Sequence, residues 1–389
     1  MITMNGKKMR FSNISTDINL DNLENQDSLD VIVNMGPQHP STHGVFRLVL
    51  WIDGEIITKA EPHIGYLHRG SEKLCESELY SQVISLFDRI DYLANLNMEL
   101  GFCAAVEKLM EIDIPDRAWY IRTILCELNR IASHLLFYGV FGLDAGAMTP
   151  VLYGFRDREK IQSVFESVTG ARMMHNFIRI GGLKEDVGND FKKDVTKLLS
   201  TLKTSIDECD ELLSGNEVFL ARTKGIGTIE RQTALDYGLS GPTLRGSGIP
   251  EDIRISDPYG IYDRFDFKIP VGTVGDSWDR YYVRVEEMRQ SISIIEQALA
   301  QMDEGPILGN VRRLIKPPKG EIYTRTETPR GDFGVFLVSD GSDKPYRVKV
   351  RTPSFSNLLA LTKMLENSYV ADSVVILGSL DIVMGEVDR

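Results

Sequence analysis

Cysteine is scarce in this chain of 389 residues: Cys75, Cys103, Cys126 and Cys209 stand far apart, with no CxxC pair. That spacing fits a reducing compartment and excludes an iron–sulfur cluster or structural zinc held by a local motif. Cys103 and Cys126 fall in apolar helical patterns, where a small buried thiol is the default. If the protein handles electrons, they come from a centre on another chain. Positive charge is also short: 44 Lys and Arg against 56 Asp and Glu give a net charge of -12. Nucleic acid needs a basic footprint, so it is excluded as a partner, as is unaided adhesion to an anionic membrane surface. No apolar run approaches the roughly 20 residues that span a bilayer. The first 29 residues lack a signal-peptide core and read as a polar tail rich in Asn, Asp and Ser. The glycine-dense stretch from Gly238 to Gly248 follows no strand and is not GxGxxG, so it does not bind a dinucleotide.

What is present is an α+β pattern. From Val31 to Glu61 apolar runs alternate as strands, with an Asp53-Gly54 turn between Phe46–Ile52 and Glu55–Ala60. Helical periodicity runs through 71–86, 89–111, 117–139, 153–169 and 189–213, broken at Asp113-Ile114-Pro115 and from Gly142 to Pro150. The stretch Gly225 to Pro250 reads as irregular apart from a short pattern near Glu230 to Tyr237, and a long helix runs from Asp276 to Met302. Strands return at Glu321–Glu327, Phe333–Leu337 and Tyr346–Val350, then a helix at Ser354–Glu366 and an apolar run at Val374–Leu377. The expected organisation is a tail over 1–29, a β region over 30–70, a mainly helical bundle over 71–304 and an α/β region over 305–389.

The most informative segment is Met35-Gly36-Pro37-Gln38-His39-Pro40-Ser41-Thr42-His43-Gly44, which holds two of the six histidines. Pro37 and Pro40 fix φ and remove donors, so the HxxxH spacing falls on a turn and not on a metal-binding helix face. Titratable groups on a tight loop between strands suit working parts; the plainer alternative is a turn with two solvated histidines, and the residues leave both open. A metal site on His39 and His43 lacks a third ligand nearby. His68 and Arg69 stand at a loop-to-helix junction, where they either face an anion or cluster, or pair locally. Asp88 and Tyr92 read as i,i+4 neighbours at a helix start, sharing one face. Asp144 is a carboxylate in an apolar loop, which needs either a histidine partner or a capping role for the next helix.

Singly these signals are weak. In order, however, NMGPQHPSTHGVFRL, EPHIGYLHRGSEKL, FDRIDYL, LDAGAMTP, TGARMMHNFIRIGG, YGLSGPTLRGSG and LGSLDIVMGEVDR make the chain, from Asp30 to Arg389, resemble the D-subunit family of proton-pumping NADH–quinone oxidoreductase, respiratory complex I. Plastid-type relatives are known as the H subunit. The resemblance implies the fold of the [NiFe]-hydrogenase large subunit: a central helical bundle with small sheets from both ends. The hydrogenase's two metal-binding cysteine pairs are absent here, which rules out its chemistry.

The resemblance further implies that the vacated metal pocket receives a quinone headgroup. The ligands would be His43 and Tyr92, with Asp144 pairing with His43. Arg69 would face a [4Fe–4S] cluster on the cluster-bearing B-type partner, near Met174 and His175. Members using high-potential quinones carry a histidine where Met174 stands; the RMMHNF of this chain points to a low-potential, weakly pH-dependent cluster and to menaquinone. No cofactor would be bound by this chain itself. Electrons would pass from NADH through FMN and iron–sulfur clusters of partners, with proton translocation. The partners implied are the B-, C- and I-type subunits and the H-type quinone-channel membrane subunit, in a hetero-oligomer held peripherally at the cytoplasmic side of the inner membrane. Two alternatives remain open on the sequence: the same subunit fed by ferredoxin or another donor, and a non-catalytic scaffold.

Overall fold

The computed structural model describes Ile2–Met4, Lys7–Met9 and residues 31–389. Ile2–Met4 pairs antiparallel with Lys7–Met9; the rest of the expected polar tail lies outside the described residues. Val31–Met35, Arg47–Asp53 and Ile56–His63 form an antiparallel meander. Its turn is Gly54-Glu55, one residue later than expected. Gly54 has φ +62°, a left-handed conformation that glycine adopts without strain.

The bundle is built on Asn95–Met110, Asp116–Asp144, Thr149–Thr169, Phe191–Leu213 and Ser277–Gln301. Asp276 caps the last of these through its carboxylate, which accepts the Asp279 amide at 2.8 Å. Asp116–Asp144 is buried on every side over most of its length, as expected of a helix surrounded by others. It meets Thr149–Thr169 at very close range. A Cβ on Gly154 would lie 2.5 Å from the Leu135 carbonyl oxygen, and one on Gly142 would lie 2.8 Å from Pro150 Cβ. Glycine at these positions lets the backbones touch.

A second antiparallel sheet, Gly320–Thr328, Gly331–Ser339 and Arg347–Arg351, lies against Asn95–Met110. Here Gly101 leaves room for the Phe333 ring, which a Cβ would meet at 2.6 Å. The apolar residues form two cores. The larger fills the bundle and reaches this sheet. The smaller joins Phe46, Leu48 and Leu50 of the first sheet to Leu361, Leu377 and Met384 near the C-terminus.

Several expectations need correction. The 71–86 pattern is two helices, Ser71–Cys75 and Tyr80–Phe87. The helix expected from residue 89 begins only at Asn95, so Asp88 and Tyr92 lie in a turn and share no helix face. The reason is Asp91, whose carboxylate accepts the Leu93 and Ala94 amides at 3.1 and 3.3 Å and closes a local turn. Asp144 lies in no loop; it is the last residue of its helix and caps nothing. Gly241–Gly246 is helical within the stretch read as irregular, started by Pro242 in its first turn. The expected helix 354–366 divides into Pro353–Leu359 and Leu361–Leu365. The apolar run 374–377 lies in the helix Ser373–Ser379, and a short terminal helix, Met384–Asp388, adds to the expected elements.

Candidate functional site

The His loop carries one turn of 3-10 helix, Pro40–Thr42. His39 closes its start: Nδ1 accepts the Ser41 amide at 3.2 Å, and the ring is otherwise exposed. Thr42 is fully buried, with its hydroxyl 2.8 Å from the His39 carbonyl and 3.0 Å from that of Gly44. These bonds fix the loop and force His43 into the left-handed region at φ +54°, which histidine tolerates better than most residues. The ring is thereby turned inward, and His43 Nε2 stands 2.7 Å from Asp144 Oδ2. Both side chains are largely shielded, at 14% and 10% exposure. A bond to an ionised carboxylate at this distance is charge-assisted and directional.

Asp144 is held from behind by Gly378. A Cβ there would come within 2.5 Å of Asp144 Oδ2, so the terminal segment leaves a notch for the carboxylate. Beside this pair is a pocket of about 220 Å³, lined by His43, Tyr92, Phe137, Phe141, Asp381 and Ile382 among others. Drug-sized ligands fill pockets of about 300–1,000 Å³; this one suits a single ring. A larger cleft of about 670 Å³ runs between Trp119 and Tyr259 and is lined by none of these residues.

Tyr92 is half-buried, and its hydroxyl makes no hydrogen bond among the described residues. Burial raises its pKa, and the neighbouring Asp91 carboxylate raises it further. The phenol is therefore a neutral donor over the physiological range. Phe137 stacks on Phe141 at 5.2 Å, and the Arg284 guanidinium lies 4.3 Å from the Phe137 ring centre on a buried side. Arg330 is also buried: it donates to Asp91 at 2.7 Å, to the Ser133 hydroxyl at 3.1 Å and to the Asp381 carbonyl at 2.9 Å. Two guanidiniums thus stand behind the pocket wall, each beside a buried carboxyl.

Of the remaining expected residues, Arg69 bonds to the turn from Asp88 to Ala94, and His68 and His175 bond elsewhere. Arg69 is exposed and donates to the Arg89 carbonyl at 2.8 Å. His68 pairs with the Asp388 carbonyl at 2.7 Å. Met174 is half-buried in a left-handed conformation, φ +56°. His175 points inward: its Nδ1 lies 3.0 Å from Asn95 Oδ1, and Asn95 in turn donates to Asp88 at 3.3 Å and Glu99 at 3.2 Å. Desolvation drops the His175 pKa to about 4. Glu99 is fully buried and its pKa is well above the usual carboxylate range, because of burial and then of Asp88 beside it. Burial and the nearness of the two carboxyls both favour the protonated form of Glu99.

A third buried network lies deeper in the bundle. Glu127 accepts from Arg130 at 3.1 Å, Arg254 at 3.2 Å, Tyr262 at 2.7 Å and Ser291 at 2.7 Å. Burial alone would lift its pKa, yet Arg130 and Arg254 hold it at about 2.

Comparison with known proteins accounts for this arrangement. The family described as respiratory-chain NADH dehydrogenase, 49 Kd subunit, matches residues 144–317 and 310–389. The chain belongs to the D-subunit family of NADH–quinone oxidoreductase, complex I. The NADH-quinone oxidoreductase D subunit of Desulforamulus reducens is 52% identical over 359 residues, covering 92% of this chain and 98% of that protein. The Dehalococcoides mccartyi counterpart is 53% identical with the same coverage. That of Clostridium beijerinckii is 51% identical over 360 residues, covering 92% and 97%. As a member of this family the chain is one part of a multi-subunit enzyme, with other complex I subunits as partners. Among the described residues, no group of three or more His, Cys, Asp or Glu side chains is placed to hold a metal. No helix there is long and apolar enough to cross a membrane.

Arg284, Arg330, Asp91, Asp381 and Gly378 are not singled out by the sequence. Their signal is present there only in part: Asp381 and Gly378 belong to the LGSLDIVMGEVDR motif, but nothing local indicates that this motif backs the His loop.

Proposed function

We propose that this chain supplies the quinone headgroup site of a proton-translocating NADH–quinone oxidoreductase. The observation that supports it is the convergence of His43 and Tyr92, far apart in sequence, on one small pocket with largely apolar walls, with Asp144 bonded to His43 behind it. Tyr92 hydrogen-bonds one headgroup carbonyl and His43 the other. Two-electron reduction puts negative charge on these oxygens, so the site must offer donors to both the oxidised and the reduced ring. The phenol donates without bearing charge. His43, with Nε2 engaged by Asp144, has Nδ1 left for the ring; an Nδ1–H donated there stabilises the developing oxyanion and can be yielded to it. Loss of that proton leaves the Asp144 carboxylate less compensated, an electrostatic change that can start the signal toward proton translocation.

Electrons reach the site from NADH through FMN and the clusters of partners, the last being a [4Fe–4S] cluster of the B-type partner facing Arg69 and the 174–175 segment. That partner group supplies the electrons; this chain's residues bind and orient the ring and hold the protons. His175, kept neutral by burial, adds no titrating charge near the cluster, which favours a low-potential centre and menaquinone. The C- and I-type subunits and the H-type membrane subunit complete the surroundings, at the cytoplasmic side of the inner membrane, on a hydrogenase-like scaffold.

The test is quinone reduction by isolated membranes carrying Tyr92→Phe or His43→Ala, with assembly checked on a native gel. Assembled complexes with at least about tenfold lower turnover are expected, equivalent to about 1.4 kcal/mol of lost stabilisation. Normal turnover in both variants overturns the reading.

A further inference from the structure

Three carboxyl groups, Asp91, Asp381 and Glu386, are buried together behind Tyr92, all less than a tenth exposed. Two cations meet them among the described residues. Arg330 donates to Asp91 Oδ2 at 2.7 Å and to Asp381 Oδ1 at 3.3 Å. Arg284 Nε approaches Asp381 Oδ2 to 3.8 Å. Glu386 contacts neither guanidinium: its Oε2 accepts the Ser354 hydroxyl, and its Oε1 has no partner. Three carboxylates against two guanidiniums leave one negative charge unmatched in a region closed to water. A buried carboxyl in that position takes up a proton instead. Burial first, and the Asp91 charge next, push the Glu386 pKa up to about 8; Arg330 and the Ser354 hydroxyl pull only part of it back. Burial lifts Asp91 too, but its 2.7 Å contact with Arg330 keeps it the more acidic of the two.

Glu386 also adjoins the surface on which Tyr92 rests. A Cβ on Gly385 would lie 2.9 Å from the Ile90 carbonyl oxygen and 3.5 Å from Tyr92 Cε1. The terminal helix thus lies directly on the turn that carries the phenol. The charges that act directly on Glu386 are Asp91 from that turn and Arg330 from the turn between two strands; Asp381, from the loop ahead of the helix, and Arg284, from Ser277–Gln301, join them through Arg330 and through each other. Pro353–Leu359 contributes only the Ser354 hydroxyl and no charge.

We propose that Glu386 carries a proton at neutral pH and is a positioning residue for the quinone site, its neutral form leaving Arg330 bound to Asp91 and Asp381. Loss of the proton, to water at alkaline pH, creates a third claimant on Arg330. The guanidinium is then drawn from Asp381, a pocket wall, and from Asp91, the residue before Tyr92. The alkaline limit of quinone turnover is set by this carboxyl. The inference rests on the quinone-site reading and adds the group that makes the site sensitive to pH.

The experiment uses the assembled complex in membranes, native and Glu386→Gln, with turnover measured from pH 6 to 9. Gln cannot ionise. In the native complex turnover at pH 9 is expected to fall at least about threefold relative to pH 7, with a midpoint near 8; in Glu386→Gln this ratio stays closer to one. An infrared titration of the same two samples reads the proton directly: a carboxylic-acid carbonyl band lost between pH 7 and 9 in the native complex and missing from the variant. An unchanged alkaline limb in an assembled Glu386→Gln complex, or no band that the variant removes, overturns the proposal. Should the variant fail to assemble, Ser354→Ala, which removes the hydroxyl bonded to Glu386, takes its place: a carboxylic-acid band fading near pH 8 that moves in this variant upholds the proposal, and a spectrum it leaves unmoved overturns it. Tyr92→Phe in parallel separates the two readings. Normal turnover in Tyr92→Phe defeats the quinone site while the infrared band still reports on Glu386.

Discussion

His43 and Asp144 lie 101 positions apart and meet at 2.7 Å, with Gly378 closing the space behind the carboxylate. The pair exists because three segments converge: a strained loop, the last turn of a 29-residue helix, and a glycine near the C-terminus. Gly378→Ala places a methyl 2.5 Å from Asp144 Oδ2, and the carboxylate must swing away. The expected result is an assembled complex with quinone turnover reduced about tenfold or more. Measuring turnover and native-gel assembly together checks it; full activity would show that the carboxylate's placement is immaterial.

The buried His175 gives a pH signature. Its folded pKa, about 4, lies below the ordinary imidazole value of 6.5. As pH falls through 6.5 the unfolded chain takes up a proton that the folded one refuses, so stability is lost progressively between about pH 6.5 and 4 and is fully present above. The lowered pKa corresponds to roughly 3 kcal/mol at the acid end. Thermal unfolding of the subunit within the complex should therefore drop over this window, and His175→Gln should flatten the drop. The same neutral ring predicts a cluster midpoint that moves little from pH 6 to 8; a redox titration with a steep slope would contradict it.

Glu127 sits where a lost charge cannot be tolerated. Glu127→Gln leaves Arg130 without its carboxylate in the middle of the bundle, while Arg254 keeps only Asp252. Breaking a buried pair by removing one partner costs about 3–5 kcal/mol. Reduced recovery of the assembled complex and a lower unfolding temperature are expected, with quinone affinity in surviving complexes unaltered.

Gly154→Ala tests the contact between two bundle helices. Its Cβ would be 2.5 Å from the Leu135 carbonyl, and backbone cannot yield as a side chain can. Overpacking of this kind costs about 1–3 kcal/mol, readable as a fall in unfolding temperature.

Much of the scaffold was legible because its signals are local. The long bundle helices announce themselves by apolar periodicity, and the helix expected from Asp276 begins there, with the Asp276 carboxylate as its cap. The Asp113-Ile114-Pro115 break ends one helix and begins another. Errors came where side chains compete with backbone periodicity. Asp91 captures two amides and turns the Asp88–Leu93 segment away from the helix its pattern suggests. Near Asp144 the helix runs further than its pattern suggests, since Gly142, expected to break it, is instead a contact glycine beneath Pro150.

By itself the sequence determined the family and the helical scaffold with sheets from both ends, and it pointed to His43, Tyr92 and Asp144, of which His43 and Tyr92 line the pocket and Asp144 meets His43. Tertiary structure alone decided what stands behind them. Arg284, Arg330, Asp91 and the Asp381–Glu386 segment lie on four separate stretches of chain, and their charges meet only once folding removes them from water. No spacing in a sequence can report that meeting, because it depends on distances between segments and on how little solvent remains among them.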